Sequence, residues 1–373
     1  MRRVRVGIIF GGRSGEHEVS LASAASVFTA IDRSRYAPVP IGIAKDGRWL
    51  AGGDPLETLA DASSVKLSVS GDPPDDTAPR VAEPGGLPPG LASRIDVVFP
   101  LIHGQFGEDG TLQGLLELAN LPYVGAGVLA SAAGMDKAMM KILFRAHGLP
   151  VVEWLLVLRR AWEDAPLAIE DRVANEIGFP CFVKPANQGS SVGISKVAEP
   201  PALPQALNDA GRFDRKIMIE RAVVGRELEV AVLGNDDPLV SLPGEVMPLK
   251  EWYDYEAKYT EGLTRFVIPA PLTPQETARL QELAREAFRA IDCAGMARVD
   301  FFLEDGRVLV NEINTIPGFT QTSAYPKLMA ASGIPYPELI HRLIQLALER
   351  HAEKRGSGFG VRSSEFGVRE NSE

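Results

Sequence analysis

Cysteine is nearly absent: Cys181 and Cys293 are the only two in 373 residues, and neither belongs to a CxxC pattern. A disulfide framework and a zinc site are therefore unsupported, and both residues read as small buried hydrophobes. No stretch approaches the ~18 apolar residues of a membrane span. The basic-then-apolar start is too short for a secretory signal and runs into Gly11-Gly12-Arg13 with no cleavage pattern. A cytoplasmic protein is expected. Basic residues are outnumbered, 39 against 49 acidic, giving a net charge of −10 with no Lys/Arg-rich run. That balance argues against nucleic acid or an anionic membrane as partner, while leaving room for a local basic pocket. Also missing are the Gly-x4-Gly-Lys-Ser/Thr spacing of a P-loop and the Gly-x-Gly-x-x-Gly of a dinucleotide fold.

At roughly 100–200 residues per domain, the length predicts two or three domains. Residues 4–10 read as a buried strand, followed by a helix over 18–31 and a strand near 39–44, the α/β signature of a parallel sheet. Residues 51–95 carry turn signals such as Gly71-Asp72-Pro73-Pro74 and read as turns or a mobile insertion. A strand over 95–101 and a helix over 111–120 complete a first region, 1–123. The second, 124–224, is expected to hold a helix over 135–147 and strands near 151–158 and 180–185. The third, 225–351, reads as a strand over 228–233, a helix over 274–291, strands 297–303 and 307–313, and a helix over 336–350. Residues 352–373 are polar and Gly/Ser-rich and read as a disordered tail.

Chemistry concentrates near residue 300. Strand alternation puts Arg298 with Asp300 on one face, and Glu312 with Asn314 on another. A three-residue loop Glu304-Asp305-Gly306, with Gly306 left-handed, would set Arg298 opposite Glu312 and merge these faces. Two carboxylates and an amide are hard oxygen donors suited to Mg²⁺, completed by phosphate oxygens. A solvent-facing strand pair with a salt bridge is the plainer alternative. Phosphate would find donors at Lys184, at the end of an apolar strand, and in the loop Asn187-Gln188-Gly189-Ser190-Ser191 behind it. Met135-Asp136-Lys137 adds a second lysine at a helix start. Two glycine-rich turns leave strands in the first region, one carrying Glu16 and one starting at His103, and together suggest a crevice for an ammonium group. The other histidines read as structural.

Taken in order, these segments resemble the D-alanine–D-alanine ligase family of the ATP-grasp superfamily. The resemblance spans about residues 4–350. It rests on Gly11-Gly12-Arg13-Ser14-Gly15-Glu16-His17-Glu18, His103-Gly104-Gln105-Phe106-Gly107-Glu108-Asp109-Gly110, Met135-Asp136-Lys137 and Lys184-Pro185 with Gly189-Ser190-Ser191-Val192-Gly193. It continues through Tyr253-Asp254-Tyr255-Glu256-Ala257-Lys258-Tyr259, Ala297-Arg298-Val299-Asp300 and Asn311-Glu312-Ile313-Asn314-Thr315-Ile316-Pro317-Gly318.

The resemblance implies a three-domain α/β fold with ATP clasped between the central and C-terminal domains. It implies Lys137 and Lys184 on the phosphates, Glu220 on the adenine amino group, Glu227 on the ribose and the backbone of Ala222 and Val223 along the base. Asp300, Glu312 and Asn314 would hold two Mg²⁺ or Mn²⁺ ions. Glu16 would take the ammonium of the first D-alanine, with His103 in the same crevice. Ser323 and Lys258 would take the carboxylate of the second, with Ala324 beside them, smaller than the residue of many relatives, leaving D-Ser open as the second substrate. Arg298 and the Gly318 N–H would stabilise an oxyanion, and Tyr259 would bridge from a lid over 250–262 to Glu16 and Ser190. A homodimer is expected. The rival readings are a ligase accepting D-lactate or D-Ser, a non-catalytic ATP-binding module and a nucleotide-dependent oxidoreductase.

Overall fold

The computed structural model describes residues 2–62, 80–82, 86–189, 192–248 and 264–356. Its first sheet is built around β1 (Val4–Gly11), parallel to β2 (Tyr36–Ile43) on one side and to β5 (Val97–Pro100) on the other. Both faces of β1 are covered, which is why Val6, Ile8, Ile9 and Phe10 run without alternation and are fully buried. β3 (Trp49–Ala51) and β4 (Arg80–Ala82) extend the sheet antiparallel, in the order β4-β3-β2-β1-β5. Of the region 51–95, residues 63–79 and 83–85 lie outside the described residues; the described part holds the end of β3, β4 and one helix. The Asp54 carboxylate accepts hydrogen bonds from the N–H groups of Leu56 (3.1 Å) and Glu57 (3.0 Å), starting a helix over Pro55–Ala62.

The second sheet is antiparallel, ordered β6-β9-β7-β8, from β6 (Trp154–Leu158), β7 (Cys181–Pro185), β8 (Ser195–Val197) and β9 (Lys216–Arg221). Its core includes Leu155, Val183, Leu207 and Ile219. The third is antiparallel too: β10 (Arg226–Gly234), β11 (Leu239–Val240), β12 (Gly244–Pro248), β13 (Thr264–Val267), β14 (Gly295–Glu304) and β15 (Arg307–Asn314). Their order is β13-β12-β10-β14-β15, with β11 also on β10. The helix Pro274–Ala290 that covers this sheet begins with a reciprocal cap: Thr273 Oγ1 accepts from the Glu276 N–H, and Glu276 accepts from the Thr273 N–H.

Two stretches differ from expectation. The helix expected over 135–147 is found at Lys137–Ala146, and an unexpected helix, Val128–Met135, precedes it, the two separated where Asp136 is extended and caps the second. Both bury Ala130, Met140 and Phe144 in the core under β14, beside Leu283 and Val299. The last helix, Tyr336–Lys354, continues past residue 350, so 352–354 belong to it rather than to a tail. It crosses back to the first sheet, where Leu339, Leu343 and Ile344 join Val6, Ile8 and Phe10 in one core. Burying each such side chain contributes about 1.5–3 kcal/mol, enough to seat the first sheet firmly against the third. The loops leaving β1, β5 and β15 are thereby brought together.

Candidate active site

The hairpin of β14 and β15 turns differently from the expected three-residue loop. Glu304 pairs with Arg307, leaving a two-residue turn at Asp305 (φ +48°) and Gly306 (φ +78°). Such a turn would pair odd with even positions and scatter the polar residues over both faces. A bulge between Asp300 and Phe301 corrects this: Phe301 pairs with Val310, Asp300 with Glu312 and Arg298 with Asn314. Asn311 is the extra residue. Arg298 is therefore opposite Asn314 instead of Glu312, yet all four side chains share one face.

On that face Arg298 Nε and Nη2 donate to the two Asp300 oxygens, each at 2.7 Å. Asn314 Nδ2 donates to Asp300 Oδ2 at 3.0 Å, and Glu229, paired with Asp300 from β10, lies 3.4 Å from Arg298 Nε. Burial works against the guanidinium's charge, but Asp300 and Glu229 outweigh it and raise its pKa well above the ordinary value. It stays a cation. Among the described residues no group of three or more His, Cys, Asp or Glu could hold a metal ion alone. Asp300, Glu312 and Asn314 offer two carboxylates and an amide, an incomplete oxygen set. That suits Mg²⁺ or Mn²⁺, which fill their shells with water and substrate phosphate.

A wall of lysines adjoins these strands. Asp136 accepts from the N–H groups of Ala138 and Met139 and is ion-paired to Lys216, fixing the helix start where Lys137 stands. Lys137 Nζ donates to the Gln188 carbonyl (3.0 Å) and lies 3.6 Å from Glu312 Oε2. Lys184 on β7 donates to Glu220 on β9 at 2.5 Å. Ala222 and Val223 form the half-buried connection from β9 to β10, with the Ala222 N–H on the Pro180 carbonyl at 3.1 Å. Glu227 opens β10.

The opposite end is made by loops. Gly11 turns at φ +89° where a Cβ would sit 2.2 Å from the Ile43 carbonyl oxygen, so only glycine fits. Glu16 follows, its carboxylate packed on glycine backbone from two other loops: Cβ atoms at Gly104 and Gly189 would lie 2.8 and 3.2 Å from Oε2. Ser14 Oγ donates to the His103 carbonyl at 2.6 Å. His103 is buried, its Nδ1 3.0 Å from the Ile316 carbonyl and its Nε2 3.1 Å from Ser23 Oγ. Burial pushes the imidazole's pKa down, but Glu108 at 3.8 Å and Glu16 beyond it raise it overall. Gly318 stands beside Ser323, whose Oγ would be 3.3 Å from a Cβ there. Ser323 precedes the helix Ala324–Ala331, and its hydroxyl accepts from the Thr320 N–H (3.2 Å) instead of capping that helix.

The structure thus joins Lys137 to Glu312, groups Arg298, Asp300 and Asn314, and sets Glu16 against the His103 loop and Gly189. Ser190, Lys258, Tyr259 and the expected lid over 250–262 lie outside the described residues. Three members went unnoticed in the sequence. Glu229 sits two residues after Glu227, on its strand face. Lys141 lies four after Lys137, one helical turn on, and Glu108 is inside the His103 motif.

Residues 5–126 match the family described as D-ala D-ala ligase N-terminus, and residues 143–345 the one described as D-ala D-ala ligase C-terminus. The D-alanine--D-alanine ligase of Geobacillus kaustophilus is 49% identical over 364 residues, spanning 95% of this chain and 97% of its own. That of Heliobacterium modesticaldum is 50% identical over 357 residues, spanning 95% and 97%. Among solved structures, the D-alanine-D-alanine ligase from Coxiella burnetii superposes with TM-score 0.78 at 38% identity, covering 95% of this chain and 97% of that one. The VanG D-Ala:D-Ser ligase from Enterococcus faecalis does so with TM-score 0.79 at 34% identity, covering 93% and 100%.

Proposed function

The chain belongs to the D-alanine–D-alanine ligase family and is an ATP-dependent ligase that joins two D-alanine molecules for cell-wall synthesis; we propose that the crevice between the three sheets is its active site. The observation that carries this assignment is the approach of Lys137 to Glu312 at 3.6 Å, which joins phosphate-binding cations to oxygen donors for a metal.

In this reading Lys137 and Lys184 bind the phosphates of ATP, Glu220 the adenine amino group and Glu227 the ribose, with Ala222 and Val223 along the base. Asp300, Glu312 and Asn314 hold two divalent ions. When bound, such ions neutralise charge on the transferring phosphoryl group. Glu16 holds the ammonium of the first D-alanine, in the loop that His103 anchors. The carboxylate of that first D-alanine attacks the γ-phosphate and gives an acyl phosphate with release of ADP. Ser323, at the start of the helix Ala324–Ala331, and Lys258 bind the carboxylate of the second D-alanine, with Ala324 bounding its side chain. The amine of that molecule, having lost a proton, attacks the activated carbonyl, and phosphate leaves. Arg298 and the Gly318 N–H stabilise the oxyanion, each donor contributing about 3 kcal/mol. An acyl phosphate hydrolyses in water, so the reaction has to exclude it, the role this reading assigns to residues 250–262 with Tyr259, Glu16 and Ser190. We further propose a cytoplasmic homodimer.

Mass spectrometry of products from ATP, Mg²⁺ and D-alanine, with D-lactate, D-Ser and L-alanine offered in parallel, tests this. D-alanyl-D-alanine as main product is expected. A mixed product with D-lactate or D-Ser would overturn the second pocket, and no product would overturn the mechanism.

A further inference from the structure

A buried triad stands behind the phosphate-facing lysine. Lys141, on the helix Lys137–Ala146, has no exposed surface, and its Nζ lies 2.5 Å from Glu220 Oε1. Lys184 keeps 8% of its surface exposed and donates to the other oxygen, Oε2, at 2.5 Å. Two lysines therefore share one carboxylate; burial pushes the Lys141 pKa down, and Glu220 beside it works against that. Burial alone would raise the Glu220 pKa; the two lysines outweigh burial and hold it below the usual carboxylate range.

The two lysines cannot be equivalent. Stripping a buried carboxylate of its counter-ion is strongly unfavourable, so an isolated Lys184–Glu220 pair would resist any ligand that needed the lysine. With Lys141 on Oε1, Lys184 can leave and Glu220 stays neutralised. Lys141, fully enclosed, has no path to a ligand. We propose that Lys141 is a positioning residue, the permanent counter-ion of Glu220, which releases Lys184 from that carboxylate to a nucleotide phosphate. The same movement opens Oε2 to a donor such as the adenine amino group. This rests on Lys184 being a phosphate contact.

The test compares affinities for ADP and for adenosine, by calorimetry, in the full-length protein and in Lys184→Met, Lys141→Met and the double variant Lys141→Met with Glu220→Gln. Adenosine lacks phosphates, so the ratio of the two affinities isolates the role of Lys184. Lys141→Met should lower that ratio about tenfold or more, the size of a charged hydrogen bond. Neutralising position 220 in the double variant should restore most of it, because nothing then retains Lys184. An unchanged ratio in Lys141→Met, or equal losses for both ligands, would overturn the proposal. An unchanged ratio in Lys184→Met would instead remove the phosphate role of Lys184, and the proposal with it. Should Lys141→Met fail to fold, Lys141→Gln keeps a hydrogen-bond donor to Glu220 without the charge, and the same lowered ratio is expected.

Discussion

Single residues show most directly what the chain spells out and what it conceals. Asp300, Glu312 and Asn314 are legible because a strand alternates: a carboxylate recurring in a buried apolar strand has to be matched by a cation. Arg298 is as legible, two residues before Asp300 on the same strand face, whereas Lys137 reaches Glu312 from a helix that no local pattern relates to it. Lys141 and Glu220 are concealed in the same way, because no local pattern links a helix to a strand so distant in the chain. Glu312→Gln is the sharpest test at this scale. It keeps shape and removes one charged oxygen donor, so the Mg²⁺ concentration for half-maximal ligation should rise about tenfold or more. The melting temperature should hardly move. Ligation at unchanged Mg²⁺ demand would remove Glu312 from the metal site.

Elements carry information that alternation omits. The polar faces of β14 and β15 follow from the sequence, but their register does not, because a one-residue shift exchanges the faces. The Asp305-Gly306 pair has the residues of a two-residue turn, and that turn alone gives the wrong register for a shared site. The bulge at Asn311 restores it. No composition signal marks that residue, since Asn311 stands between Val310 and Glu312 in a strand of ordinary length. Deleting Asn311 should therefore rotate Glu312 and Asn314 away from Asp300, or force the turn to strain. Ligation should fall by about 10²-fold or more, the scale of losing a group that stabilises transition-state charge, and extra Mg²⁺ should not rescue it. Retained activity in a folded deletion variant would show that the register is set elsewhere.

For the whole molecule, strands of each of the three sheets are legible from their own patterns. How they share cores is not. The helices Val128–Met135 and Lys137–Ala146 lie beside the central strands in sequence but pack under β14, and the last helix returns to the first sheet. Such choices depend on matching apolar surfaces far apart in the chain. One polar link joins the second sheet to the third. Arg221, ending β9, makes two 2.8 Å bonds to Glu304, ending β14, and also pairs with Glu153. The hydrogen bonds from Arg221 hold the Glu304 pKa down to about 2, against an ordinary 4.5. A carboxylate depressed on folding stabilises the native state fully above its unfolded value, and that contribution is lost as pH falls toward the folded one. Acid should therefore weaken this link between about pH 4.5 and 2. Glu304→Gln should melt at lower temperature than the parent near neutrality, and the difference should shrink to nothing as that window is crossed. Thermal melts across the range decide it: a difference that persists below the window would mean that Glu304 holds the two sheets by packing rather than by charge.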